Sequence, residues 1–237
     1  MASFSKSLEN NYITNKKLEY LLKGLTLYGP DTKWQIDKEG LYEMTPANLS
    51  IWIWRYLGVG PNDRILETCG GLGGDTIVLT QLGTSVITYE PDKTRYQMLK
   101  NNVYLGGLSE NCNYINTRYS PLVNPHTDCN ILYMDPPWGG PGYKKSKVIN
   151  ELYLGFLKIS DIVMNFSEQS NCIDQTIVLK LPFNYNIKNL ETTIQSRPWR
   201  FKVIKTQWIR PPPNRKGKVV GIGWFIAHIQ RVILNTE

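Results

Sequence analysis

Residues Met134 to Tyr143 read "MDPPWGGPGY", placing an acid, two prolines and a tryptophan directly after the apolar run "ILYM". A plain Pro-rich turn, with the tryptophan tucked into the core, needs no acid there. The chemical alternative uses all four residues. The Asp135 carboxylate and the Pro136 carbonyl are two acceptors, and the prolines keep that carbonyl from turning away. Trp138 offers a flat face. Three groups held still in this way suit the exocyclic amine of a nucleobase. Such an amine is a poor nucleophile because its lone pair is delocalised into the ring, and acceptors aimed at its N–H bonds favour a more tetrahedral nitrogen. Orientation alone can carry much of the rate of a transfer that needs no covalent intermediate. Asp135, Pro136 and Trp138 are thus the candidate catalytic residues.

A second constellation lies upstream. "ILETCGGLGGDT" holds Glu67, Gly71, Gly73, Gly74 and Asp75 between an expected strand and an expected helix. Glycines there permit a tight turn and a close backbone approach to a ligand. Glu90, at the end of the next strand, can accept both hydroxyls of a ribose, a device that a dinucleotide enzyme also uses. The acid ahead of the glycines favours a cofactor with a positive amino group over a pyrophosphate. This pattern resembles the class I S-adenosylmethionine-dependent methyltransferases. The resemblance implies that Glu67 and Gly71 to Gly74 face the methionine part and Glu90 the ribose.

The longer spelling "DPPWGGPGY", taken with "IDKEGLYEMTPANLS" (Ile36 to Ser50), resembles the trimethylguanosine synthase family of RNA cap guanine-N2 methyltransferases. The likeness runs from about Ile36 to Leu190, and the compact chain looks like viral or protist members. It implies methyl transfer from S-adenosylmethionine, released as S-adenosylhomocysteine, to N2 of a 7-methylguanosine cap. Thr45, Pro46, Glu67, Gly71, Gly73, Gly74, Asp75, Glu90, Asn116 and Asp135 are then expected around the cofactor. Pro137, Trp138 and Tyr143 are expected at the base, with no metal required. A cationic 7-methylguanine on an indole gains roughly 1–2 kcal/mol of cation–π attraction once desolvated. The cap's phosphates need cations, which Lys144, Lys180, Arg210, Arg215, Lys216 and Lys218 can supply, although each also suits an ordinary solvated surface. Lys180 stands out because "IVLKLP" otherwise reads as a buried strand.

The chain departs from the family in places. Ala47 replaces the glutamate that usually follows Thr-Pro, Arg118 stands where an acid is expected after the third strand, and Phe183 replaces an arginine beside "LP". Two other functions stay open on sequence grounds. One is an adenine-N6 or other RNA base methyltransferase using the same tetrad. The other is a non-catalytic cap- or RNA-binding module on this fold.

The elements that must position these residues alternate. "DRILETCGG", "SVITYEP", "CNYIN", "CNILYMD" and "QTIVLKLP" read as strands, separated by helical stretches that include a long one through "VINELYLGFLKISDIVMNF". "FKVIKTQWI" and "VVGIGWFIAHIQRVI" have no helix between them and should pair as an antiparallel hairpin. The expected fold is α/β: a Rossmann-like, mostly parallel sheet with a C-terminal antiparallel hairpin and a small helical N-terminal extension. We expect that extension over residues 1–50 and the methyltransferase domain over 51–237. Because ligands of open α/β sheets bind beyond the carboxyl ends of the strands, the unusual stretches should share one face.

The totals agree with a soluble globular chain: 237 residues, 41% hydrophobic and 20% charged. The formal charge of +7 favours a polyanionic partner. Four scattered cysteines and two histidines make no zinc pattern. No apolar stretch is long enough to span a membrane, so no membrane partner is expected. A monomer in an intracellular, reducing compartment completes the expectation.

Overall fold

Ile65 and Leu66 are both fully buried in β1 (Arg64–Glu67). A strand apolar at consecutive positions is one covered on both faces, as parallel strands are. In the computed structural model, which describes residues 16–26, 33–107, 109–172, 174–195, 201–209 and 224–231, the chain forms two compact units, Met1–Thr117 and Arg118–Glu237.

In the first unit β1 pairs in parallel with β2 (Ser85–Tyr89), and β2 pairs in parallel with β3 (Cys112–Ile115). The crossovers are α4 (Gly74–Gln81) and α5 (Lys93–Leu105). Asp92 starts α5 by accepting from the Arg95 amide at 2.8 Å, as an N-cap should. Ahead of β1 lie α1 (Lys16–Leu22), α2 (Gly40–Glu43) and α3 (Ala47–Tyr56). These early residues belong to the unit's own core: Trp34, Ile36 and Leu41 pack with Leu72, Ile77 and Leu99. Buried Asn102 fixes the segment. It accepts from the Gln35 amide at 2.9 Å and donates to the carbonyls of Gln35 at 2.7 Å and Leu72 at 2.9 Å. Arg95 adds ion pairs to Asp37, Glu39 and Glu43.

In the second unit β4 (Ile131–Met134) pairs in parallel with β7 (Thr176–Pro182). β7 then pairs antiparallel with β9 (Trp224–Arg231), and β9 with β8 (Phe201–Ile209). The strand order is therefore β4-β7-β9-β8, so the expected C-terminal hairpin is present and its second arm lies against β7. Helices α6 (Ile159–Gln169) and α7 (Ile187–Gln195) flank β7 in the chain.

One expected element differs. The helix anticipated from Val148 begins only at Ile159. The stretch before it makes a two-stranded hairpin, β5 (Tyr153–Leu154) and β6 (Leu157–Lys158). The cause is Gly155, which takes φ +68° between them, a left-handed turn that breaks a helix.

Candidate active site

In the first unit, the turn after β1 holds the expected glycines in three different settings. At Gly71, φ is +53° and an added Cβ would meet nothing within 4 Å. At Gly73 it would strike Leu99 Cδ1 at 2.9 Å, and at Gly74 Met44 Cγ at 2.7 Å. Gly73 and Gly74 therefore let α5 and Met44 approach, whereas Gly71 opens on free space. Beside it, Glu90 Oε2 accepts from the Gly71 amide at 3.0 Å and Oε1 from the Asp92 amide at 2.8 Å. A carboxylate has about four acceptor positions, so each oxygen keeps one for a ligand. Burial raises the Glu90 pKa, while the two amides oppose the shift. A vicinal diol beside an open glycine backbone fits this cradle.

The remaining upstream residues form a clamp. Asp75, at the start of α4, accepts from the Thr45 hydroxyl at 3.0 Å and from the Ser50 hydroxyl. This ties the "TPANLS" segment, with Pro46 at the start of α3, to the first turn of α4. Where Ala47 leaves the segment without its expected acid, Asp75 places a carboxylate against the same segment. Glu67 is only 1% exposed, and its Oε2 accepts from the Thr76 hydroxyl at 2.6 Å. Asn116 donates to the Glu90 carbonyl at 2.9 Å and so braces the end of β2.

In the second unit, the tetrad follows β4 directly. Pro136 is buried, Pro137 is exposed, and Trp138 is half-buried. The left-handed φ values at Gly139 and Gly140, +88° and +61°, turn the chain into a 3-10 segment, Gly140–Lys145. The Tyr143 ring meets Trp138 edge-on, with centroids 5.3 Å apart and an interplanar angle of 78°. The Phe183 ring is tilted against Tyr143, with centroids 6.2 Å apart. Burial raises the Tyr143 pKa.

Lys180 is 4% exposed and reaches this cluster from β7. Its ammonium donates to Asp135 Oδ2 at 2.5 Å and lies 5.9 Å from the centroid of the Trp138 ring. The residue expected to meet phosphate is instead bound to the tetrad acid. The pairing engages Asp135 Oδ2 and fixes that carboxylate. The indole Nε1 of Trp138 is buried and lacks a hydrogen-bond partner among the described residues.

Sequence reasoning passed over Asn184 and Ser50, and saw Phe183 only as a missing arginine. Asn184 donates to the carbonyls of Tyr143 at 2.9 Å and Ser146 at 2.7 Å, pinning the loop after the tetrad. Phe183 extends the aromatic cluster in place of the expected arginine. Ser50 shares the Asp75 clamp. The signal for Phe183 and Asn184 was their position directly after the "LP" of β7. Lys144 is exposed, with its ammonium 5.8 Å from the Tyr143 ring centroid. Arg210, Arg215, Lys216 and Lys218 lie outside the described residues.

Residues 62–210 match the RNA cap guanine-N2 methyltransferase family. The chain belongs to that family. Among relatives, the protein L320 of Acanthamoeba polyphaga mimivirus is 33% identical over 148 residues, 60% of this chain and 56% of that protein. The chain thus spans little more than half of that relative's length. Trimethylguanosine synthase of Schizosaccharomyces pombe is 25% identical over 173 residues, 69% of this chain and 70% of that protein. Two solved structures share the fold. A putative RNA methyltransferase from Pyrococcus horikoshii superposes with a TM-score of 0.55 at 18% identity, covering 95% of this chain and 100% of that one. An S-adenosylmethionine-dependent O-methyltransferase from Thermotoga maritima gives 0.56 at 18%, covering 82% and 68%. This cap guanine-N2 methyltransferase family member has the class I methyltransferase fold.

Proposed function

We propose that the chain methylates the N2 amine of a 7-methylguanosine RNA cap. The observation that carries this reading is the Asp135–Lys180–Trp138 cluster, an anchored acceptor beside an indole at the end of β4. The family match and the Schizosaccharomyces pombe relative support the cap as substrate.

S-adenosylmethionine, when bound, supplies an electrophilic methyl group. The chain's own residues would do the rest. Glu90 accepts the ribose hydroxyls beside Gly71. Asp75, within the Thr45–Ser50 clamp, receives the positive amino group. Asn116, whose amide nitrogen donates to the Glu90 carbonyl, would offer its oxygen to the adenine amine. In the second unit, Asp135, anchored by Lys180, would accept from one N–H of the guanine N2. The Pro136 carbonyl accepts from the other. Trp138 stacks on the purine, whose positive charge gains roughly 1–2 kcal/mol from the indole when desolvated. That charge also weakens the hold of N2 on its protons, so a neighbouring acceptor suffices without a strong base.

The test is labelled methyl transfer to 7-methyl-GTP, GTP and an adenine-containing RNA, with identification of the modified atom. Transfer to N2 of 7-methyl-GTP and not to the others is expected. Transfer to adenine N6 would overturn the reading. Trp138→Ala should abolish turnover while calorimetry still shows cofactor binding; turnover near wild type would remove the platform.

A further inference from the structure

Arg118 has a place in the structure that the cofactor and base sites do not explain. It lies against the tip of the β5–β6 hairpin: a Cβ on Gly155 would meet Arg118 Cδ at 2.7 Å and Nη1 at 2.9 Å. The next residue, Phe156, is 98% exposed. Tyr153 and Lys158 are direct cross-strand partners, so their side chains leave the hairpin on the same face. Both are exposed, while Leu154 is turned inward.

This display is held firmly. Glu151 Oε2 accepts from Ser160 Oγ at 2.5 Å and Oε1 from the Leu152 amide at 3.0 Å. The Ile159 amide donates to the Leu152 carbonyl at 3.0 Å. The Tyr185 hydroxyl reaches Glu151 Oε1 at 3.5 Å, and the adjacent Asn184 holds the Tyr143 carbonyl. The hairpin is therefore continuous with the loop that carries Trp138 and Tyr143. Neither Arg118 nor Lys158 has an ion-pair partner among the described residues. Single exposed apolar side chains are common and need no explanation. Two exposed aromatics on one braced hairpin, Tyr153 in β5 and Phe156 in the turn, flanked by two cations without ion-pair partners among the described residues, are the composition of a stacking platform for unpaired nucleic acid.

We propose that the β5–β6 hairpin binds an unpaired nucleotide of the RNA that follows the cap. Phe156 and Tyr153 stack on its base, and Arg118 and Lys158 take its phosphates. The choice of RNA rests on the cap-methylation reading; the platform itself rests on the hairpin alone.

Two measurements separate these. KM is compared for 7-methyl-GTP and for a capped, unstructured ten-nucleotide RNA, in wild type and in Phe156→Ser and Lys158→Gln variants. For Phe156→Ser, KM for capped RNA should rise at least about fivefold, the low end for one lost base stack. KM for 7-methyl-GTP and kcat for both should stay at wild-type levels. An unchanged KM for capped RNA, or an equal rise for 7-methyl-GTP, overturns the proposal. Fluorescence anisotropy of the same RNA without a cap is read in parallel, adding Arg118→Gln. Wild-type binding that weakens in all three variants is expected. Absence of RNA affinity in the wild type, or equal affinity in the variants, overturns the platform. Should no cap substrate be methylated at all, the functional reading falls and the anisotropy result alone decides the hairpin.

Discussion

At the scale of residues, a buried lysine is costly unless its charge is met, and Asp135 meets the charge of Lys180 at 2.5 Å. Lys180→Met should therefore harm two properties at once. Stability should fall by roughly 3 kcal/mol, the low end for breaking a buried pair, read as a lowered melting midpoint. Turnover should fall about a hundredfold, the low end for one lost electrostatic contact to the reacting group, with cofactor affinity unchanged. Lys180→Arg should recover part of the turnover; a methionine variant with wild-type kcat would remove the positioning role. Glu90 gives a second prediction, in pH. Burial raises its pKa above the ordinary 4.5, so the folded chain holds that proton more tightly than the unfolded chain does. The contribution of Glu90 to stability must then fall as pH rises from about 4.5 through the raised value. Glu90→Gln should flatten that decline in a series of thermal melts; an identical slope would contradict it. The oddness of Lys180 was legible in "IVLKLP", but its partner was not. Pairing with Asp135 depends on the parallel register that sets Met134 opposite Leu179, and no local pattern specifies that register.

At the scale of elements, the turn after β1 is packed as tightly as it is open. A Cβ on Gly70 would stand 2.2 Å from Thr88 Oγ1 and 3.1 Å from Leu99 Cδ2. Gly70→Ala should destabilise the protein by about 1–3 kcal/mol, the usual penalty of overpacking. Thr88→Ala in the same chain should recover part of it, since the Thr88 hydroxyl is buried without a hydrogen-bond partner among the described residues. Additive losses in the double variant would show that the clash is elsewhere. The parallel strands and their helices were readable because apolar runs, caps and glycines agree there. The β5–β6 hairpin was not. "ELYLGFLKIS" places leucines at spacings that fit a helix and a strand alike, and the decision passes to the left-handed Gly155. Likewise, the Gly-rich turn was legible as a ligand site, whereas the division of labour between Gly71 and its packed neighbours needs the contacts of α5 and Met44.

At the scale of the whole molecule, the formal charge of +7 predicts attraction to polyanions and salt-sensitive binding. The segment from Arg210 to Lys218 carries four positive charges in nine residues. Reversing Arg215, Lys216 and Lys218 to glutamate should raise KM for a triphosphorylated cap and flatten its dependence on salt, with kcat retained. An unchanged KM would leave these residues with no part in cap binding. The order β4-β7-β9-β8 has a further consequence for how the second unit is made. β9, the last of these strands in the chain, lies between β7 and β8, so β7 lacks its second neighbour and β8 its pairing with β9 until residues 224–231 have been synthesised. During translation the strand bearing Lys180 waits with one side bare, open to pairing with the wrong chain. Nascent protein stalled before Trp224 should be the form that chaperones capture.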